Sequence, residues 1–230
     1  MLLKSAPPYK ATNNELIFNF KTTMATRNTK SYSKFTFDDL KVLGLEVIIK
    51  ELFAEETIVD VSPSAWLTET LNRSKNLSLA TEKAKSEFLI APILNELQEN
   101  NPTVFSLYSG FNFTVDAAKG LQGFCDFLLA KLPLKVVPDA PIIAVVEAKL
   151  NDVITAAVPQ CVAEMYATRL WNERYKQPQQ VIYGVITTGN NWLLLRFKEG
   201  MTIEVDVNTY SLTNLEKVLG VLQHIINQFK

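Results

Sequence analysis

Ile142-Ile143-Ala144-Val145-Val146-Glu147-Ala148-Lys149 is the stretch that decides how the chain is read. Its apolar run predicts a central strand. Residues two apart on a strand point to the same face, so Glu147 and Lys149 are aimed together at one point beside the sheet's edge. A lone Glu-x-Lys specifies little, because strands often end in charged residues where they reach solvent.

Asp126 adds to it. It lies early in Phe124-Cys125-Asp126-Phe127-Leu128-Leu129, the start of a strand predicted over 124–132. If the two strands form a hairpin, the midpoint between Asp126 and Glu147 falls near Val136, within a connection bounded by Pro133, Pro138 and Pro141. Asp126 then faces Glu147 across the ladder, with Cβ atoms about 5 Å apart. Two opposed carboxylates repel unless a cation sits between them; the plainer alternative is an Asp that accepts hydrogen bonds at a strand start. The literal Pro138-Asp139 is a poorer match. Asp139 is eight residues from Glu147 along an extended chain, roughly 26 Å, too far to share an ion.

Working outward, Ser78 is the predicted N-cap of a helix through Ala84, Phe88, Ile90, Ile93, Leu94 and Leu97, with Glu82 favouring the positive end of its dipole. Asn100-Asn101-Pro102 stops it. Pro92, inside the run, predicts a kink, since its ring opposes the Phe88 carbonyl. A strand over 104–115 follows. After Lys149 come a helix over 159–175, strands over 181–187 and 192–197 around a Thr188-Gly189-Asn190-Asn191 turn, a further strand over 202–207 and a C-terminal helix. Near the start, residues 37–53 have helical spacing, 66–71 suggest a short helix, and Leu16, Phe18 and Phe20 alternate as in a strand. The expected fold is α/β, in the order helix, strand, strand, strand, helix, strand, strand, with a mixed central sheet flanked by helices.

Composition narrows the chemistry. The chain has 230 residues, 47% of them apolar, enough for a full core. Neither a membrane-length apolar run nor a secretory leader is apparent, so a cytoplasmic protein without membrane contact is expected. Cys125, Cys161 and His224 are too few for a four-ligand zinc site. No phosphate-cradling glycine loop appears, so no nucleotide cofactor is expected. Carboxylates, lysine and amides remain, which suits a hard metal such as Mg²⁺. The formal net charge is −1, but residues 1–36 carry six Lys and Arg against Glu15, a net +5. That stretch reads as a solvated tail or as an arm that touches phosphates.

A helix acid, an Asp at the start of one strand, Glu-x-Lys at the end of the next and a Gln in the following helix together resemble the PD-(D/E)XK, or restriction-endonuclease-like, nuclease superfamily. The matching residues are Glu87, Asp126, Glu147-Ala148-Lys149 and Gln160. They lie within roughly residues 80–200, and are most similar to the nuclease domain of type I restriction subunits and their single-domain relatives. Asp126 has Cys before it where the pattern has Pro. The resemblance implies a domain over 77–230 with a restriction-endonuclease-like core, preceded by a basic and helical extension over 1–76. It implies Mg²⁺- or Mn²⁺-dependent phosphodiester hydrolysis, with DNA as partner and a homodimer or a partner subunit left open. Asp126, Glu147 and the Ala148 carbonyl would hold the metal, with Glu87 acting through water. Lys149 would orient the attacking water, and Gln160 would position Lys149 or the phosphate. Glu164, one turn after Gln160, can share the cleft. The competing reading is a catalytically inactive nucleic-acid-binding or assembly module on the same fold, favoured by the near-neutral charge.

Overall fold

A computed structural model of the chain describes residues 30–151 and 153–230. The alternating run at Leu16–Phe20, and most of the basic N-terminal stretch, lie outside these residues. The described elements are α1 (Phe37–Val42), β1 (Glu46–Lys50), α2 (Ala65–Ser74), α3 (Glu82–Lys85), α4 (Ala91–Glu99), β2 (Phe105–Asn112), β3 (Phe124–Lys131), β4 (Ile142–Ala148), α5 (Val158–Arg174), β5 (Ile182–Thr187), β6 (Asn191–Phe197), β7 (Thr202–Ser211) and α6 (Leu215–Asn227). The protein is α/β. One seven-stranded mixed sheet runs in the order β1-β7-β6-β5-β4-β3-β2, with helices on both faces.

β4 and β5 are parallel neighbours and buried along their whole length. This is why β4 carries no polar residue before Glu147: every earlier position meets a core. Ile142 and Val145 pack under α1 and α5, and Ile143, Ala144 and Val146 pack under α2, α4 and α6. β3 pairs antiparallel to β4, with Phe127 opposite Val146 and Leu128 opposite Val145. Continuing that register by one step sets Asp126 opposite Glu147. No helix among the described residues is long and apolar enough to cross a membrane.

The segment over 37–53 is not one helix. α1 stops at Val42, Gly44 turns with φ +76°, and the β-branched run Val47-Ile48-Ile49 forms β1 alongside β7. Tertiary pairing overrides the helical spacing. Glu46–Lys50 therefore belong to the sheet, and Tyr32, Leu40 and Leu67 reach its two cores. The helix expected from Ser78 begins later, where Thr81 Oγ1 accepts from the Ala84 amide at 3.0 Å.

Where Pro92 predicts a kink, the helical segment changes its turn. Ser86–Ile90 form a π-turn between α3 and α4, in which the Ala91 amide bonds back to Ser86. The wider turn accommodates the ring. The Phe88 carbonyl accepts instead from the buried Ser74 hydroxyl of α2 at 2.9 Å.

α5 lies tightly on the sheet. A Cβ at Gly184 of β5 would stand 2.5 Å from Met165 Sδ and 2.8 Å from Cys161 Sγ. At the other end of the helix, Asn172 accepts from the Ile142 amide at 2.8 Å and donates to the Ile142 carbonyl at 2.7 Å. The position of α5 over β4 and β5 is thus set at both ends. Gly184→Ala is expected to lower stability by about 1–3 kcal/mol through overpacking. Urea unfolding of the variant beside wild type checks this, and an unchanged midpoint would contradict the close packing.

Candidate functional site

The end of β4 delivers Glu147 and Lys149 beside the first turns of α5. The Lys149 amide donates to the Thr187 carbonyl of β5 at 2.8 Å, which anchors its backbone just past the strand. Lys149 Nζ lies 2.5 Å from Glu147 Oε1 and donates to Gln160 Oε1 at 3.0 Å. The Gln160 amide nitrogen donates to Glu147 Oε1 at 2.6 Å and to Glu164 Oε1 at 3.1 Å. Gln160 therefore links all three charged groups, using its acceptor on the ammonium and its donors on the carboxylates. Asp126 Oδ2 accepts from the Ala148 amide at 2.8 Å, which fixes β3's acid against the same strand end.

Glu147 is divided between two environments. Its Oε1 is saturated by Lys149 and Gln160, whereas its Oε2 is buried with no hydrogen-bond partner. Glu164 is fully buried, and its Oε2 is also without a partner. The two carboxyl groups lie within hydrogen-bonding reach of each other, so a proton shared between them, or a cation, relieves the cost of burying these oxygens.

The electrostatics agree with the geometry. Burial, and then the charge of Asp126, push Glu147 up to about 7. Burial likewise raises Asp126, although the Ala148 amide and Lys149 oppose it. Glu164 stands well above the ordinary carboxylate range, first through burial and then through Glu147. Burial draws the Lys149 ammonium down, but Glu147, with Glu82 and Asp126 behind it, more than offsets this and leaves it raised. The cluster holds more carboxyl groups than one ammonium can balance.

Asp126, Glu147, Lys149 and Gln160 are thus brought together, and Glu164 joins them. Glu87 is not joined to them by any hydrogen bond or ion pair among the described residues. It pairs with Lys83 at 2.5 Å, and its side chain is half exposed. Another helix acid, Glu82, reaches the end of β4. It accepts from the Leu150 amide at 3.3 Å, one residue beyond Lys149, and its charge is felt by both Asp126 and Lys149. Lys85 donates to the Leu150 carbonyl at 2.7 Å, so α3 docks on this loop at two points. In the sequence, Glu82 shows only a first-turn acid. Its contact with Leu150 spans 68 positions and leaves no local signal. Asp139 is a loop residue paired with Lys135, as its distance along the chain implied.

A hard divalent cation fits this donor set in one specific way. Among the described residues no three His, Cys, Asp or Glu side chains are grouped to hold a metal. What the site offers is the Asp126 and Glu147 carboxylates on adjacent strands, close enough to interact. Mg²⁺ is commonly held by one or two carboxylates, with water and substrate phosphate completing the octahedron. Compared with protein-family models and with curated proteins, the chain matches none.

In the absence of metal, the raised carboxyl at Glu147 makes stability pH-dependent. Its pKa is higher in the folded protein than in the unfolded chain. Its contribution is therefore fully present below the ordinary carboxylate range and is lost as pH rises through about 7. Glu147→Gln stays neutral throughout, so in EDTA it should gain stability relative to wild type between about pH 5 and about pH 8. Urea melts at both pH values check this. Parallel pH profiles for the two proteins would show that Glu147 is not the group responsible.

Proposed function

We propose that this chain is a metal-dependent nuclease that hydrolyses phosphodiester bonds, DNA being its expected substrate, on a restriction-endonuclease-like core. The observation that carries the reading is Glu147, held on one oxygen by Lys149 and Gln160, beside Asp126 at the adjacent strand. The order of α4, three antiparallel strands, α5 and a hairpin supports the finer fold assignment. The complete set of Asp, Glu-x-Lys and Gln speaks against an inactive module.

Asp126 and Glu147 would hold Mg²⁺ or Mn²⁺, with the Ala148 carbonyl as a further oxygen donor. Such an ion supplies an activated water and neutralises charge on the scissile phosphate. Lys149 keeps its ammonium charged at neutral pH, because its pKa is raised, and presents Nζ protons to negative charge building on the phosphate. Gln160 fixes that ammonium's direction through Oε1. Glu82 takes the part of the helix acid, adding negative potential at the cation's position from α3.

Plasmid nicking with Mg²⁺ or Mn²⁺ tests the activity. Lys149→Ala should cut turnover by about 10²-fold or more, while DNA binding in Ca²⁺ weakens far less. Asp126→Ala should abolish Mn²⁺ binding measured by calorimetry. A wild-type protein without metal-dependent cleavage, or one whose cleavage Lys149→Ala leaves intact, refutes the mechanism.

The two helix acids separate in the same assay. Glu82→Gln is expected to lower turnover, because it removes a charge felt by Asp126 and Lys149. Glu87→Gln should leave turnover within about twofold of wild type, as for an exposed pair. The reverse order would restore Glu87 to the site.

A further inference from the structure

β1 forms one edge of the sheet and is paired on one side only, with β7. The Glu46 amide donates to Met201 on the β7 side at 2.9 Å. Backbone groups alternate in direction along a strand. The amides and carbonyls of Glu46, Ile48 and Lys50 therefore turn toward β7, and those of Val47 and Ile49 turn outward. Among the described residues nothing pairs with the outward amides of Val47 and Ile49. Ile49 is 77% exposed and Ile48 37% exposed. An apolar, β-branched edge with free backbone groups is a template for another strand.

The sequence of this edge selects its occupant. Glu46-Val47-Ile48-Ile49-Lys50 is self-complementary when reversed. A two-fold axis through Ile48 sets Glu46 against Lys50 of the second copy, Val47 against Ile49, and Ile48 against its own counterpart. Moving the axis to Val47 or Ile49 sets a charged residue against Ile48 and loses both ion pairs. The Ile48 register also brings the outward groups of Val47 and Ile49 into hydrogen-bonded pairs, while Ile48 falls in a non-hydrogen-bonded pair. Lys50 already holds Glu204 at 2.8 Å, but its side chain remains 54% exposed, and an ammonium has three donors. It can therefore meet a second carboxylate on its outer side. We propose that the protein forms a homodimer through antiparallel β1 strands about a two-fold axis at Ile48, continuing one sheet across two copies. The inference is independent of the metal site.

Sedimentation of the full chain and oxidation of Ile48→Cys test it. In a non-hydrogen-bonded pair the two Cα atoms lie about 4.5 Å apart, within disulfide reach. Cys125 and Cys161 are buried, so they do not compete. Wild type is expected to sediment at twice the chain mass, and Ile48→Cys to form a covalent dimer on mild oxidation. Glu46→Lys, shown to be folded by circular dichroism, should be monomeric, because two lysines then oppose each other. Glu46→Lys with Lys50→Glu should restore the dimer. A wild-type monomer, or a dimer that Glu46→Lys leaves intact and Ile48→Cys does not cross-link, overturns the proposal. So does a monomer whose Ile49 amide is protected from hydrogen exchange, which would assign the edge to residues 1–29.

Discussion

The antiparallel register of β3 on β4 is the constraint from which the rest of the site follows. Phe127 lies opposite Val146, and both enter the core beneath α4. A one-residue slip would send every apolar side chain of β3 to the wrong face. The apolar packing of residues 127–129 thus holds Asp126 opposite Glu147. Burial is the main cause of the raised pKa in both groups; the charge of Asp126 adds to it at Glu147, whereas a hydrogen bond from Glu147 works against it at Asp126.

The helix α5 works in the same way from above. Its buried residues, Cys161, Val162 and Met165 among them, fix Gln160 and Glu164 over the strand end. One helical turn separates those two side chains, and Gln160 bonds to Glu164 as well as to Glu147 and Lys149. A neutral amide is the one side chain that can accept from an ammonium and donate to two carboxyl groups at once.

Much of this was legible because it follows from period and spacing. The apolar run over 142–146 could only be a buried strand. The symmetric distances of Asp126 and Glu147 from the proline-bounded connection gave their pairing, whereas Gln160 was singled out only by the family resemblance. Three features were not legible, each for a physical reason. β1 is formed by pairing with β7, more than 150 positions away, and its local spacing mimics a helix. The π-turn over 86–90 inserts an extra residue into the helical repeat, and Pro92 shows only that something must give there. Glu82 enters the site through the Leu150 amide, whereas Glu87, better placed by pattern, bonds its own helix.

The β5–β6 turn has a consequence beyond closing a hairpin. Gly189 has φ +80°, and a Cβ there would fall 2.8 Å from Leu89 Cδ1 and 2.9 Å from Leu89 Cβ, within the π-turn. The backbone of the turn thus serves as a stop against which the helical segment rests. Any side chain at residue 189 would force Leu89, and with it the segment that carries it, to shift. The distance between Glu82 and the strand end is therefore gauged by a residue that bears no functional group. Substitution at 189 would alter the site's charge balance without touching any of its side chains, so the chemistry here is sensitive to the thickness of a turn.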